Sequence, residues 1–86
     1  MTAEEMFKKE GFGKSVFRNI RGTIIDYEKV IKEPFHKIIS IIIDLQEKQV
    51  SFDSVEDGWA INTVLNKNVI NALYKQIEEL KQNGEW

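Results

Sequence analysis

One histidine and two groups of carboxylates are the residues of this 86-residue chain that could do acid–base or metal chemistry. His36 is the only histidine and there is no cysteine, so the Cys/His ligand sets of structural zinc sites cannot form. The carboxylates are Asp26 with Glu28 on a predicted strand, and Asp53 with Glu56 and Asp57 after a predicted hairpin. Neither group has the spacing of a calcium loop. We therefore expect no metal and no catalytic residue.

Sequence motifs of nucleotide binding and of covalent catalysis are missing from the chain. It contains no Gly-rich phosphate loop, no Walker sequence and no serine in a nucleophile-elbow pattern. The sequence therefore predicts a protein that is not an enzyme and that uses no cofactor.

A group of basic residues in the first third of the chain suggests an alternative function, weak nucleic-acid binding. Its members are Lys8, Lys9, Lys14, Arg18 and Arg21. A phosphate-contacting patch would require these side chains on one surface. Ordinary solvated charge is the competing interpretation, since no aromatic platform accompanies the group and the net charge of the chain is −2.

Four apolar residues are candidates for contact with a partner protein. Trp59 lies in a predicted loop and Trp86 at the end of the sequence, and tryptophan is enriched at interaction hot spots. Ile38 and Ile42 lie on the less apolar face of a predicted strand and would leave apolar surface uncovered. The partner is an unknown protein, or a second copy of the chain in a homodimer.

The stretch from Phe35 to Phe52 organises the predicted fold. Apolar residues alternate from Ile39 to Leu45, as in a strand with one buried face. Because Ile38 and Ile42 occupy the other face, we expect an inner strand that is covered at least in part on both sides. Residues 46–49 are polar and predict a four-residue hairpin loop.

The residues before this hairpin predict a short helix and one further strand. Thr2 and Glu5 match a capping box, and Gly11 is a typical helix stop. Residues 23–30 have the alternation of a strand. Residues 12–22 show no clear pattern, and they leave open an irregular strand with Val16, Phe17 and Ile20 that turns at Arg21-Gly22.

The residues after the hairpin predict a loop over 54–63 and then a long helix. Its apolar stripe recurs at three- and four-residue steps and consists of Leu65, Val69, Ile70, Leu73, Ile77 and Leu80. Asn62 or Thr63 would cap its first turn.

Together these elements predict a single small α+β domain over residues 1–86. An antiparallel three-stranded sheet packs against the long C-terminal helix and is flanked by the short N-terminal one, in the order α-β-β-β-α.

Three segments resemble a group of small proteins encoded in phages and prophages of Gram-positive bacteria. They are AEEMFKKEGF near the start, IIIDLQEK at residues 41–48, and YKQIEEL at residues 74–80 with a tryptophan after it. Members of that group have an I-x-F-D-L-x-x-K pattern and a terminal helix of the type NKQIEELGW. This chain has Ile43 where an aromatic residue is usual, and extra residues before Trp86. The resemblance implies a phage accessory protein, but it carries over no functional residues.

The N-terminal residues have acids where a signal peptide has a basic start, and the apolar runs are too short to span a bilayer. The sequence thus predicts a cytoplasmic protein-interaction module without membrane contact.

Overall fold

The chain folds into a four-stranded antiparallel sheet with one helix before it and one after it. The computed structural model describes residues 1–32, 36–56 and 65–86. The elements in chain order are α1 (Ala3–Lys9), β1 (Gly13–Asn19), β2 (Gly22–Ile31), β3 (Lys37–Asp44), β4 (Gln49–Glu56) and α2 (Lys67–Gln82). Each strand pairs with the next along the chain, giving the order β1-β2-β3-β4. The predicted α+β class is confirmed.

The predicted number of three strands is wrong, because residues 13–19 form an additional edge strand, β1. All of its residues are exposed. Since neither face of this strand is buried, its sequence lacks the alternation that marks a half-buried strand. Backbone pairing with β2 holds it in place, from Gly13 opposite Glu28 to Asn19 opposite Gly22.

The central hairpin is confirmed, although its boundaries differ from the prediction. β4 continues to Glu56, so residues 54–56 belong to a strand and not to a loop. The loop comprises residues 45–48, one position earlier than predicted. A carboxylate oxygen of Asp44 fixes it by accepting hydrogen bonds from the N–H groups of Gln46 (3.0 Å) and Glu47 (3.1 Å). Phe35 lies outside the described residues.

Both helices pack on one side of the sheet, which we call the covered face. β2 and β3 supply its buried centre with Ile25, Tyr27, Ile41 and Ile43. The helices add Phe7, Val69, Ala72 and Leu80, and the loop after α1 adds Phe12. β3 is an inner strand, as predicted, and its second face is covered only in part, since Ile38 and Ile42 are half-buried there.

The start of α1 is fixed by the predicted capping box and by a contact with α2. The Thr2 hydroxyl accepts a hydrogen bond from the Glu5 N–H, and the Glu5 carboxylate accepts one from the Thr2 N–H. The Thr2 N–H and the Thr2 hydroxyl both donate to the Glu5 carboxylate, and these two bonds lower the pKa of Glu5. The Ala3 N–H, one of the free donors of a helix start, donates to Glu79 of α2 at 2.8 Å. The two helices are therefore joined by a charge-assisted hydrogen bond.

α2 begins later than predicted, and its buried stripe is different. Asn66 is the N-cap, accepting a hydrogen bond from the Val69 N–H at 2.9 Å, so the predicted caps Asn62 and Thr63 are wrong. Ile70 is 40% exposed, whereas Gln76 is buried. No helix within the described residues is both long and apolar enough to cross a lipid bilayer.

Candidate functional site

We call the side of the sheet that faces away from the helices the open face. The strand register and the alternation of side chains assign each residue to one side. Its apolar residues are Phe17, Ile24, Val30, Ile38 and Ile42. Its acidic residues are Asp26, Glu28, Asp44 and Asp53.

The open face leaves apolar side chains in contact with solvent. Phe17 is 54% exposed and Val30 46%, while Ile24, Ile38 and Ile42 are half-buried. The buried side chains of both helices belong to the core on the covered face. Single exposed apolar residues are ordinary, but a group of them on one flat face marks an interaction surface.

Two apolar groups lie at opposite ends of the open face. At one end Phe17 stands directly opposite Ile24. At the other end Val30 stands opposite Ile38, six residues further along β2, which corresponds to roughly 20 Å. Ile42 lies between the ends, opposite Asp26.

Asp26 is the most unusual polar residue of the open face. Its neighbours across the sheet are Ser15 and Ile42. One of its carboxylate oxygens, Oδ1, is buried and has no hydrogen-bond partner. Burial raises the pKa of Asp26 above its usual value of 3.8, and the nearby charge of Glu28 raises it further. A carboxylate in this position costs folding free energy instead of supplying it.

We expect Asp26→Asn to increase the free energy of unfolding at neutral pH. The pKa of Asp26 is higher in the folded chain than in the unfolded chain, so the folded chain keeps this proton to a higher pH. The free energy of unfolding therefore falls as the pH rises above 3.8. An asparagine amide carries no such proton and avoids this loss. The group is largely solvated, so the gain is at most about 1 kcal/mol. Urea unfolding at neutral and at acid pH measures this gain in the free energy of unfolding.

The control for this prediction is Asp53→Asn, at an exposed carboxylate on the same face. We expect a smaller change in the free energy of unfolding from this substitution. A gain for Asp26→Asn that stayed the same below the usual pKa of aspartate would contradict the explanation.

The structure places the four predicted interaction residues differently. Ile38 and Ile42 lie on the open face. Trp86 is half-buried and packs against the core cluster, and Trp59 lies outside the described residues. Phe17 was not among the predicted interaction residues, because the irregular pattern of residues 12–22 did not assign it to a face of the sheet.

The five basic residues of the alternative function are spread over several surfaces. Lys8 and Lys14 line one depression with Glu4, and Lys14 is paired with that glutamate at 3.6 Å. Arg18 lines another depression, with Glu79 and Glu85. The remaining two basic residues lie apart, Lys9 beside Glu10 and Arg21 beside Asp44 and Glu47. Lys14 also lines the depression of Arg18, so Lys8, Lys14 and Arg18 are neighbours. Lys9 and Arg21 lie apart from them, and acids line the depressions of all five.

Of the residues considered for catalysis or metal binding, Asp26 and Glu28 are neighbours on the open face, whereas His36 lies apart from them. Glu28 stands opposite Ser40, whereas His36 is exposed and lies four residues earlier, so the two are roughly 13 Å apart along the strand direction. In the described ranges, no group of three or more His, Asp or Glu residues could hold a metal ion. The side chains of Glu56 and Asp57 lie outside the described part.

No protein-family model, curated protein or solved structure matches this chain. The resemblance to small phage-encoded proteins stays a prediction.

Proposed function

We propose that the protein is a non-enzymatic interaction module that binds a partner protein through the open face of its sheet. The observation that carries this proposal is that both helices pack on the covered face, while Phe17 and Val30 are about half exposed on the other. Apolar residues of the covered face are exposed to a similar degree only on the outer strands, at Val16 of β1 and Phe52 of β4. A sheet is most stable when both of its faces bury their apolar residues. A partner protein would bury the second face. In the phage setting that the sequence resemblance implies, the partner would be a cytoplasmic phage or host protein.

The alternative function, nucleic-acid binding through Lys8, Lys9, Lys14, Arg18 and Arg21, has less support. Phosphate binding needs a continuous positive surface, since its free energy comes from neutralising several phosphates together. Lys8, Lys14 and Arg18 are neighbours, but Lys9 and Arg21 lie on other surfaces. Acids line the same depressions, and Lys14 is already paired with Glu4.

Affinity capture with three forms of the protein tests the proposal. The first is the natural chain, and the second carries Phe17→Ser and Ile42→Ser on the open face. The third carries Ile70→Ser and Tyr74→Ser, at two exposed apolar residues of α2, and serves as the matched control. We expect a captured protein to be retained by the control and lost by the open-face variant, with both variants folded by circular dichroism.

Two outcomes would overturn the proposal. One is capture that survives the open-face substitutions but not the control substitutions. The other is binding to random-sequence duplex DNA that falls steeply with salt and is lost on substitution of Lys14 and Arg18, which would favour the nucleic-acid alternative.

A further inference from the structure

The open face carries charge of one sign only. Its strand positions include four acids, Asp26, Glu28, Asp44 and Asp53, and no Lys or Arg stands on the strand positions described there. The basic residues of the same strands lie on the covered face, as Lys14 and Arg18 of β1 and Lys29 of β2. The two sides of the sheet therefore differ in charge as well as in covering.

These acids are not neutralised within the described part of the chain. Neither observed salt bridge, Lys14 to Glu4 or Lys75 to Glu78, involves the open face. Asp44 is engaged by the backbone of the β3–β4 loop, while Oδ1 of Asp26 has no hydrogen-bond partner. Cationic side chains of a partner would neutralise the exposed carboxylates of this face, Glu28 and Asp53.

Three of the four acids lie between the two apolar ends of the face, whereas Asp44 stands opposite Ile24 at one end. Asp26 and Glu28 follow one another on β2, between Ile24 and Val30. Asp53 stands level with Glu28 on β4, with Ser40 between them, so these two carboxylates are roughly 10 Å apart. The pattern is apolar, then acidic, then apolar along a line parallel to the strands.

We propose that the open face docks a basic amphipathic helix of a partner protein, with its Lys or Arg side chains against Asp26, Glu28 and Asp53. This inference rests on the proposed function and adds the chemistry of the partner. A helix covers the face of a sheet, whereas an added strand pairs with an edge. The roughly 20 Å between the apolar ends corresponds to about 13 residues of helix.

The negative charge of the open face also disfavours a second copy of the chain as the partner that binds there. Two copies docked by their open faces would bring Asp26, Glu28 and Asp53 of each chain against those of the other. Like charges at the centre of an interface oppose association, whereas complementary charges speed encounter and fix the register.

Two synthetic peptides of about 14 residues test the inference, both helix-forming and with the same leucine stripe. One has lysine on its polar face and the other has glutamate. Fluorescence anisotropy measures their affinity for the full chain at low and high salt. We expect the lysine peptide to bind at least about tenfold more tightly, with an advantage that shrinks as salt screens the charges.

Variants in which acids are replaced by their neutral amides show which carboxylates bind the lysine peptide. Glu28→Gln with Asp53→Asn changes the open face, and we expect it to weaken binding of the lysine peptide about tenfold. Glu78→Gln with Glu85→Gln changes the net charge equally at exposed positions away from this face, and we expect it to leave the affinity unchanged.

Three results would overturn the inference. The first is equal affinity for the two peptides, and the second is equal weakening by the two pairs of substitutions. The third is a dimer in sedimentation velocity that Phe17→Ser with Ile42→Ser abolishes. If both peptides bound equally and both were lost with those two serines, the open face would remain the docking surface of the proposed function, and only its basic partner would be refuted.

Discussion

Replacing Phe7 by alanine is expected to bring the protein close to unfolding. Phe7 is fully buried, stacks on Tyr27 with ring centroids 3.8 Å apart, and meets Phe12 edge-on at 5.7 Å. Removing a buried phenylalanine costs roughly 3–5 kcal/mol. At about 0.05–0.15 kcal/mol per residue, the whole chain of 86 residues is stable by only about 4–13 kcal/mol.

The matched control is Phe17→Ala, which removes the same side chain from the open face, where it is 54% exposed. We expect a loss below about 1 kcal/mol there, because little apolar area leaves the interior. Urea unfolding followed by circular dichroism compares the two variants. Equal losses would mean that α1 contributes no more to the core than an exposed strand residue.

The second large effect is expected at the buried pair of Tyr27 and Gln76. The Tyr27 hydroxyl donates a hydrogen bond to the side-chain oxygen of Gln76, and Gln76 is only 4% exposed. Burial raises the pKa of Tyr27, and Glu4 and Glu79 contribute, so the hydroxyl remains a donor at physiological pH. Tyr27→Phe leaves the amide buried without this partner, at a cost of roughly 1–3 kcal/mol.

A double-mutant cycle separates the hydrogen bond from packing. We expect Gln76→Leu alone to destabilise as well, because it leaves the tyrosine hydroxyl unpaired. Tyr27→Phe combined with Gln76→Leu removes both polar groups and should recover most of the lost free energy of unfolding. Losses that simply added would show that the two side chains act independently.

Sequence periodicity predicted the elements that have one apolar, buried face and one polar, exposed face. The hairpin of β3 and β4 and the helix α2 each have a repeating apolar pattern, and the capping box of Thr2 and Glu5 is a purely local signal. β1 escaped prediction because an edge strand with all residues exposed imposes no such pattern.

The buried side of α2 was predicted incorrectly at Gln76, because the burial of this residue depends on a contact with a distant part of the chain. A glutamine is assigned to the solvent side of a helix by its polarity, and only the hydroxyl of Tyr27, 49 positions away, makes its burial favourable. The contact between Ala3 and Glu79 likewise spans 76 positions and leaves no local trace.

The candidate site was predicted only in part, since a strand pattern defines two faces without saying which the helices cover. Ile38 and Ile42 were identified because they interrupt a polar face. The acids beside them were considered only as candidates for catalysis or metal binding, and their common side with Phe17 follows from the register of β1 against β2.

The contact between the two helices joins elements that are synthesised at different times. α1 precedes the sheet along the chain and α2 follows it, so Phe7 can gain its full cover only after α2 has been made. Each strand pairs with the next along the chain, and this pairing can begin during translation before α2 has emerged.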